Sequence, residues 1–237
     1  MRWFDSAVEK LKQAQRRLAP YRFYMELSHR SFDLRYGLQT RGRVERAQLD
    51  IPKPVQDRVT RYEASKTRVF SHILARLPVA PDEFTFIDLG AGKGRALILA
   101  AEHGFKRVIG VEISPKLHSI GQDNVARYTS RTGNRSHIQL LLLDVLEFAI
   151  PAERTVYYLY NPFDEATTAH VLDKIAGSVM EHPRDVWIVF VFPLCGDLLN
   201  SASFLERKGE GKIWRDHYQI YKVRTAGWAP YGEKEDH

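Results

Sequence analysis

Three acidic residues and a glycine-rich turn are the groups in this sequence best suited to bind a ligand. Asp88, Glu112 and Asp144 each come at the end of an apolar run with the composition of a β-strand. The stretch "DLGAGKG" (88–94) begins at the first of these acids. Because ligands of an open parallel sheet bind beyond the carboxyl ends of its strands, we expect the three acids and the turn to border one site.

The spacing of the glycines separates three classes of ligand. A phosphate-binding P-loop, GxxxxGK[ST], is excluded because Lys93 is followed by Gly94 and Arg95. A dinucleotide fingerprint, GxGxxG, fits poorly, since its last position counted from Gly90 falls on Arg95. The remaining pattern, GxGxG at Gly90, Gly92 and Gly94, suits a nucleoside with a small charged tail, because glycines let the backbone approach a ligand closely. The helix that follows directs free N–H groups toward that ligand.

The two later acids are placed to bind the nucleoside itself. Glu112 lies 22 residues after Gly90, where a carboxylate can accept hydrogen bonds from both ribose hydroxyls. Asp144 follows the next apolar run, "LLLLD", and is expected near the edge of the adenine. Three acids after three apolar runs favour a nucleoside site over chance surface acids.

Alternating strands and helices must hold these groups in place. The predicted strands are residues 85–89, 108–112, 138–143, 156–160, 186–192 and 218–223. The predicted helices among them are residues 94–103, 115–128, 165–180 and 195–207. The strands are rich in Val, Ile and Leu, as in a parallel sheet buried on both faces. The pattern therefore predicts an α/β fold of right-handed βαβ units with helices on both sides of the sheet.

The N-terminal quarter differs in composition from the rest. Residues 1–61 hold 14 Lys/Arg against 7 Asp/Glu, so the basic character of the chain belongs to this part. Residues 1–36 read as helical with a break near Pro20, residues 36–54 as an extended connector, and residues 59–77 as a helix. We divide the chain into a basic helical extension and connector (1–58), a main domain (59–230) and a polar tail (231–237). A solvated extension is the interpretation favoured over a surface for nucleic acid or a membrane.

Composition restricts the class of protein. The 237 residues suffice for one α/β domain, and no apolar run is long enough for a membrane span. The first residues contain no apolar h-region, so we expect no secretory signal, and a single cysteine suits a reducing cytoplasm, where we expect the protein. Cys195 allows neither an internal disulfide nor a four-cysteine zinc site, and it is expected to be a buried thiol. The histidines show no metal-binding spacing, so a metal-free reaction is expected.

Residues 84–223 resemble the class I S-adenosylmethionine-dependent methyltransferases. "FIDLGAGKG" resembles the first motif of that family, "VIGVEIS" its second-strand acid and "LLLDVLEF" its adenine-contacting segment. The resemblance implies a three-layer Rossmann-like sandwich whose mostly parallel, seven-stranded sheet has an antiparallel last strand. It implies S-adenosylmethionine as the cofactor. Its implied binding residues are Asp88, Gly90, Ala91, Gly92 and Gly94 for the methionine part, Glu112 and Ile113 at the ribose, and Asp144 and Val145 at the adenine.

The end of the fourth strand, "YYLYNPFDEAT", carries the candidate catalytic residues. Asn161, Pro162 and Phe163 resemble the [DNS]PP[YFW] motif of methyltransferases that act on planar or amine nitrogens, although the second proline is missing. The Asn161 carbonyl could accept a hydrogen bond from a substrate N–H, and Phe163 could contact the methyl or target group. The alternative is that Asn161 caps the next helix and Phe163 packs in the core. No catalytic base is assigned.

The helix predicted for residues 59–77 is expected to close over the cleft. It would place Tyr62 and Lys66 on one stripe, where they could bind the cofactor or the substrate or serve as ordinary packing and surface residues. In broad layout the chain is similar to some non-SET lysine methyltransferases. We therefore expect a methyltransferase acting on a nitrogen or oxygen of a protein lysine or a small molecule. The alternatives are a nicotinamide-dependent oxidoreductase and a nucleic-acid binding or modifying protein that uses the basic N-terminus.

Overall fold

The computed structural model of the chain describes residues 26–226. Its helices are α1 (26–36), α2 (Lys53–Gln56), α3 (Thr67–Leu74), α4 (Arg95–Glu102), α5 (Pro115–Thr132), α6 (Glu165–Glu181) and α7 (Gly196–Ser201). Its strands are β1 (Arg43–Val44), β2 (Tyr62–Glu63), β3 (Thr85–Leu89), β4 (Arg107–Glu112), β5 (His137–Leu142), β6 (Thr155–Tyr160), β7 (Val186–Val191), β8 (Leu205–Ile213) and β9 (Asp216–Val223). The helix predicted before Pro20 and the polar tail at 231–237 lie outside the described residues.

A seven-stranded sheet with the order β5-β4-β3-β6-β7-β9-β8 organises the molecule. The first five strands in this order, β5, β4, β3, β6 and β7, pair in parallel. β9 runs antiparallel to both of its neighbours, β7 and β8. This topology confirms the predicted three-layer Rossmann-like sandwich with its antiparallel last strand. β3 is an inner strand with a partner on each side, and all five of its residues are buried. The glycine turn is therefore anchored on a fully enclosed strand.

Apolar side chains fill the space on both faces of the sheet. One cluster joins Phe86 and Leu97 to the N-terminal helix residues Phe32 and Tyr36. The other joins Ile87 to residues of α6, among them Leu172. Phe86 and Ile87 are neighbours in β3 that point to opposite faces, so a strand buried on both sides reads as a continuous apolar run.

The N-terminal segment packs on the sheet's helices over its described part. Phe32 and Tyr36 of α1 are buried in the cluster shared with α4, and the Asp33 carboxylate forms an ion pair with Arg95. The connector predicted for residues 36–54 is extended at β1 but contains a 3₁₀ turn at Arg46–Gln48. In residues 26–226 no helix is long and apolar enough to cross a membrane. The domain boundary at residue 58 stays a prediction.

The prediction of one helix over residues 59–77 is wrong in its first half. Only Thr67–Leu74 is helical; before it, Val59 forms an isolated β-bridge with Phe163 and Tyr62–Glu63 forms β2. The backbone of this stretch bonds to the chain that follows β6: Thr60 N–H donates to Pro162 O at 3.0 Å. Asp164 N–H in turn donates to Arg58 O at 2.8 Å. These tertiary hydrogen bonds override a local sequence pattern that fits a helix.

The prediction of a helix over residues 195–207 is also wrong beyond Ser201. Residues Leu205–Ile213 form β8, which within residues 26–226 is an edge strand paired with β9 alone, and a bulge between Arg207 and Gly209 interrupts it. Its exposed positions are all charged, and its two glycines are half-buried. An edge strand with one partner needs no continuous apolar run, so the strand pattern was too weak to detect.

Candidate functional site

A cavity of about 470 Å³ opens at the carboxyl ends of β3, β4 and β6. It collects most of the predicted site residues on one surface. The predicted residues that line it are Tyr62, Asp88, Gly90, Ala91, Glu112, Ile113, Asp144, Val145, Asn161, Pro162 and Phe163. Gly92, Gly94 and Lys66 are predicted residues that do not line it directly. The topological switch point is thus where the sequence motifs converge.

The glycine turn is needed for close approach to two other segments. Gly90 has φ of +96°, and a Cβ placed there would lie 2.7 Å from the Pro162 Cβ. Gly92 has φ of +55°, and a Cβ there would meet the Tyr62 ring at 2.3 Å. Glycine is favoured at both positions for two reasons: the backbone is left-handed, and there is no space for a side chain. The turn therefore brings the segment after β6 and the Tyr62 ring against the cavity floor.

Glu112 is held rigidly at the end of β4. One carboxylate oxygen accepts from Gly92 N–H at 2.7 Å and the other from Ser114 N–H at 2.8 Å. Burial raises the pKa of this carboxyl, although the backbone hydrogen bonds act in the opposite direction. The Gly92 N–H therefore donates to the Glu112 side chain and is not free to bind a ligand. A carboxylate has about four acceptor positions, so two remain for ligand hydroxyls.

Asp88 is buried at the end of β3 and faces the same cavity. Burial and the negative charge of Glu112 raise the pKa of Asp88 to about 8. A carboxyl in this state is neutral near neutral pH, and a cation placed beside it would favour its ionised form. The position suits a ligand that carries positive charge.

Asp144 forms an ion pair with Arg58, a residue that the sequence analysis did not identify. Its carboxylate forms an ion pair with Arg58 at 2.7 Å and accepts from Leu146 N–H at 3.0 Å. Partial burial acts to raise the pKa of Asp144, but the hydrogen bonds from these two partners lower it. Val145 and Ile113 line the cavity beside it and offer apolar contact for a flat base. The adenine role of Asp144 stays a prediction.

The candidate catalytic segment has an unusual backbone. Asn161 has φ of +43°, a left-handed conformation that is uncommon outside glycine and is frequent at functional sites. Its carbonyl accepts from the Thr60 hydroxyl at 2.6 Å. The cap of α6 is Asp164, whose carboxylate accepts from Thr167 N–H at 2.9 Å. Asn161 therefore does not serve as the helix cap, while Phe163 packs partly against the core below α6.

Tyr62 and Lys66 are separated by the extended backbone. The Tyr62 hydroxyl donates to Thr40 O at 2.7 Å, and its ring packs on Gly92. Lys66 forms an ion pair with the buried Asp216, and its Nζ lies 5.6 Å from the centre of the Phe192 ring. Tyr62 thus borders the cavity, whereas Lys66 stabilises the neighbouring end of β9.

Several cavity residues were missed by sequence reasoning. They are Arg58, Thr60, Arg95, Phe192 and Leu194. A usable signal existed only for Arg95, because this charged residue directly precedes the apolar run "ALILAA" of the same helix. Cys195 is buried, as expected, and burial raises the pKa of its thiol. Over residues 26–226 no group of His, Cys, Asp and Glu side chains is arranged to hold a metal ion.

Comparisons with known proteins find similar structures but no similar sequences. No family model and no curated protein matches the chain. A conserved hypothetical protein from Streptococcus pyogenes is 20% identical with a TM-score of 0.50, over 68% of this chain and 96% of that one. An RNA methyltransferase from Salinibacter ruber, solved with S-adenosyl-L-homocysteine, is 21% identical with a TM-score of 0.49, over 79% of this chain and all of that one. At these identities the likeness concerns the fold alone.

Proposed function

We propose that the protein is an S-adenosylmethionine-dependent methyltransferase that acts on a nitrogen or oxygen of a protein lysine or a small molecule. The observation that carries the proposal is the meeting of two motifs at one cavity. The glycine turn with Asp88 and Glu112 forms one wall, and Asn161, Pro162 and Phe163 form the adjacent one. Pro162 contacts the turn directly, since it fills the space beside Gly90. A cofactor held by the first wall would therefore lie next to the second.

The residues present fit the cofactor part by part. The free acceptor positions of Glu112 suit the two ribose hydroxyls, and the apolar side chains of Ile113 and Val145 suit the adenine. Asp88, whose pKa is raised by burial, gains a favourable partner when a cationic group approaches. Gly90 and Ala91 of the glycine turn line the same cavity, so the backbone of the turn borders the space for the ligand. This arrangement favours an adenosine with a charged tail over a dinucleotide.

When bound, the cofactor supplies an activated methyl group on a sulfonium, an excellent leaving group. The chain's own residues then need to position the acceptor and exclude water. Asn161 sits at the end of β6 with its backbone fixed by Thr60, so its side-chain carbonyl can accept a hydrogen bond from an acceptor N–H. Phe163 and Phe192 also line the cavity and add aromatic surface to it. We assign no side chain as a catalytic base.

Binding and turnover test the proposal separately. Calorimetry should show binding of S-adenosylhomocysteine and none of NAD; the opposite preference would refute the assignment. Labelled S-adenosylmethionine incubated with the protein and a cell lysate should then transfer label to protein or to small molecules. Label found in nucleic acid alone would show that the acceptor is a nucleic acid and contradict the proposed acceptor. Transfer to no fraction would contradict the proposed activity.

A further inference from the structure

Arg95 is a buried charged residue that the proposed reaction has not yet used. It is the first residue of α4, directly after the glycine turn, and it is only 2% exposed. Its side chain also contributes to the cavity wall. Burying a guanidinium is costly unless its N–H groups form hydrogen bonds, so each of its donors is expected to have an acceptor.

The N-terminal segment holds two of the three nitrogens. Arg95 Nε donates to the Thr40 hydroxyl at 2.6 Å, and Nη2 donates to the Asp33 carboxylate at 3.1 Å. The Thr40 hydroxyl donates in turn to Asp33. The guanidinium also packs on the Phe32 ring, with its carbon 5.1 Å from the ring centre. Three contacts of its own, with Thr40, Asp33 and Phe32, thus fix the orientation of this side chain before any ligand arrives.

The third nitrogen, Nη1, is buried and has no hydrogen-bond partner among residues 26–226. Asp33 does not neutralise the surroundings fully, because it is shared with Arg41, whose Nε lies 3.4 Å from it. Lys93 adds a further cation, since its Nζ donates to the Arg41 carbonyl. The cluster therefore has an unused donor and a surplus of positive charge, the two features that an anion would complete.

Asp88 precedes the glycine turn and Arg95 follows it, and the two side chains suit ligand groups of opposite charge. Both line the cavity, the first suited to a cation and the second to an anion. A zwitterionic α-amino acid offers both charges on one carbon. We propose that Arg95 Nη1 binds the carboxylate of the cofactor's amino-acid tail, with Asp33 and Thr40 as positioning residues. This inference rests on the proposed function and extends it, because it makes residues 33–40 part of the cofactor site.

The consequence is selectivity for ligands that carry the carboxylate. Three ligands measure the contribution of the carboxylate to binding. They are S-adenosylhomocysteine, its decarboxylated analogue S-adenosyl-3-thiopropylamine, and 5′-methylthioadenosine, which has no charged tail. The native protein should bind the first about tenfold to a hundredfold more tightly than the second, the range for a charge-assisted hydrogen bond. Equal affinity for these two, measured on the native protein alone, overturns the inference. If 5′-methylthioadenosine binds in that experiment, the proposed function survives; if none of the three binds, both fall.

Variants then assign the selectivity to Arg95. In Arg95→Lys the ratio of the two affinities should fall close to one, and in Asp33→Asn it should fall part of the way. A merely structural role would weaken both ligands equally and leave the ratio unchanged, which would contradict the assignment. The matched control is Arg107→Lys, at the exposed start of β4 on the opposite edge of the sheet, which should keep the native ratio. If Arg95→Lys does not fold, Thr40→Val replaces it, with the ratio again expected to fall.

Discussion

Binding of the proposed cofactor should be coupled to release of a proton from Asp88. Burial and the neighbouring Glu112 charge raise the pKa of Asp88 to about 8 in the free protein. A positive tail beside this carboxyl favours its ionised form and lowers the pKa, so the complex holds fewer protons than the free protein. The affinity must therefore rise as the pH rises toward about 8.

The magnitude follows from the linkage of one proton. Between about pH 5.5 and 7.5, where the ligand's own amine stays mostly protonated, the affinity should rise about tenfold per pH unit. Calorimetry of S-adenosylhomocysteine in buffers of different ionisation enthalpy should detect about one proton released near pH 6.5. Asp88→Asn should show a flat profile over this range, and so should 5′-methylthioadenosine with the native protein. A flat profile for S-adenosylhomocysteine with the native protein would refute the reasoning.

The same carboxyl should also affect stability, with the opposite dependence on pH. The folded protein keeps a proton that the unfolded chain releases above its ordinary pKa of 3.8, so rising pH destabilises the native protein until about pH 8. Asp88→Asn, which mimics the neutral acid, should remove this loss. Urea denaturation at several pH values compares the two proteins, and parallel profiles would argue that Asp88 is ionised when free.

Three further predictions concern single positions. Glu112→Ala should weaken binding of S-adenosylhomocysteine by about 1–3 kcal/mol in calorimetry, because charge-assisted hydrogen bonds to the ribose are lost; unchanged affinity in a folded variant would remove the ribose role. Asn161→Ala should lower kcat more than cofactor affinity, and the reverse would place Asn161 against the cofactor. Gly90→Ala should lower the free energy of unfolding by about 1–3 kcal/mol through the contact with Pro162 and the left-handed φ. Its control, Gly177→Ala in α6, has open space around it and should be neutral or stabilising by up to about 1 kcal/mol; equal losses in both would contradict the steric argument.

The sequence was most informative where one strand ends in one functional group. Asp88 and Glu112 lie at the ends of β3 and β4 as predicted, because apolar runs and the glycine spacing are local signals. The fold class followed from the alternation of such runs with helices. Parallel strands end at one edge, so correct strands were enough to predict that these acids would meet.

Contacts between distant segments could not be predicted in this way. The pairing of residues 58–60 with the chain after β6 depends on backbone hydrogen bonds that leave no pattern in the side chains. The ion pair of Arg58 with Asp144 joins positions 86 residues apart, and the Asp33–Arg95 pair joins positions 62 apart. Charged residues in a basic segment look solvated in the sequence, and only the fold shows which of them are buried.

The composition of β8 has a consequence for the behaviour of the protein in concentrated solution. In the part of the chain that the structure describes, one side of the strand has no partner strand, and unpaired backbone groups there could recruit a strand from another molecule. The bulge between Arg207 and Gly209 disturbs the regular spacing of those groups, and Lys208 and Lys212 place charge along the same strand. Charged side chains on an edge strand disfavour its pairing with another strand, because their desolvation is costly. The features that hid this strand from sequence reasoning are therefore the ones that discourage sheet-to-sheet aggregation.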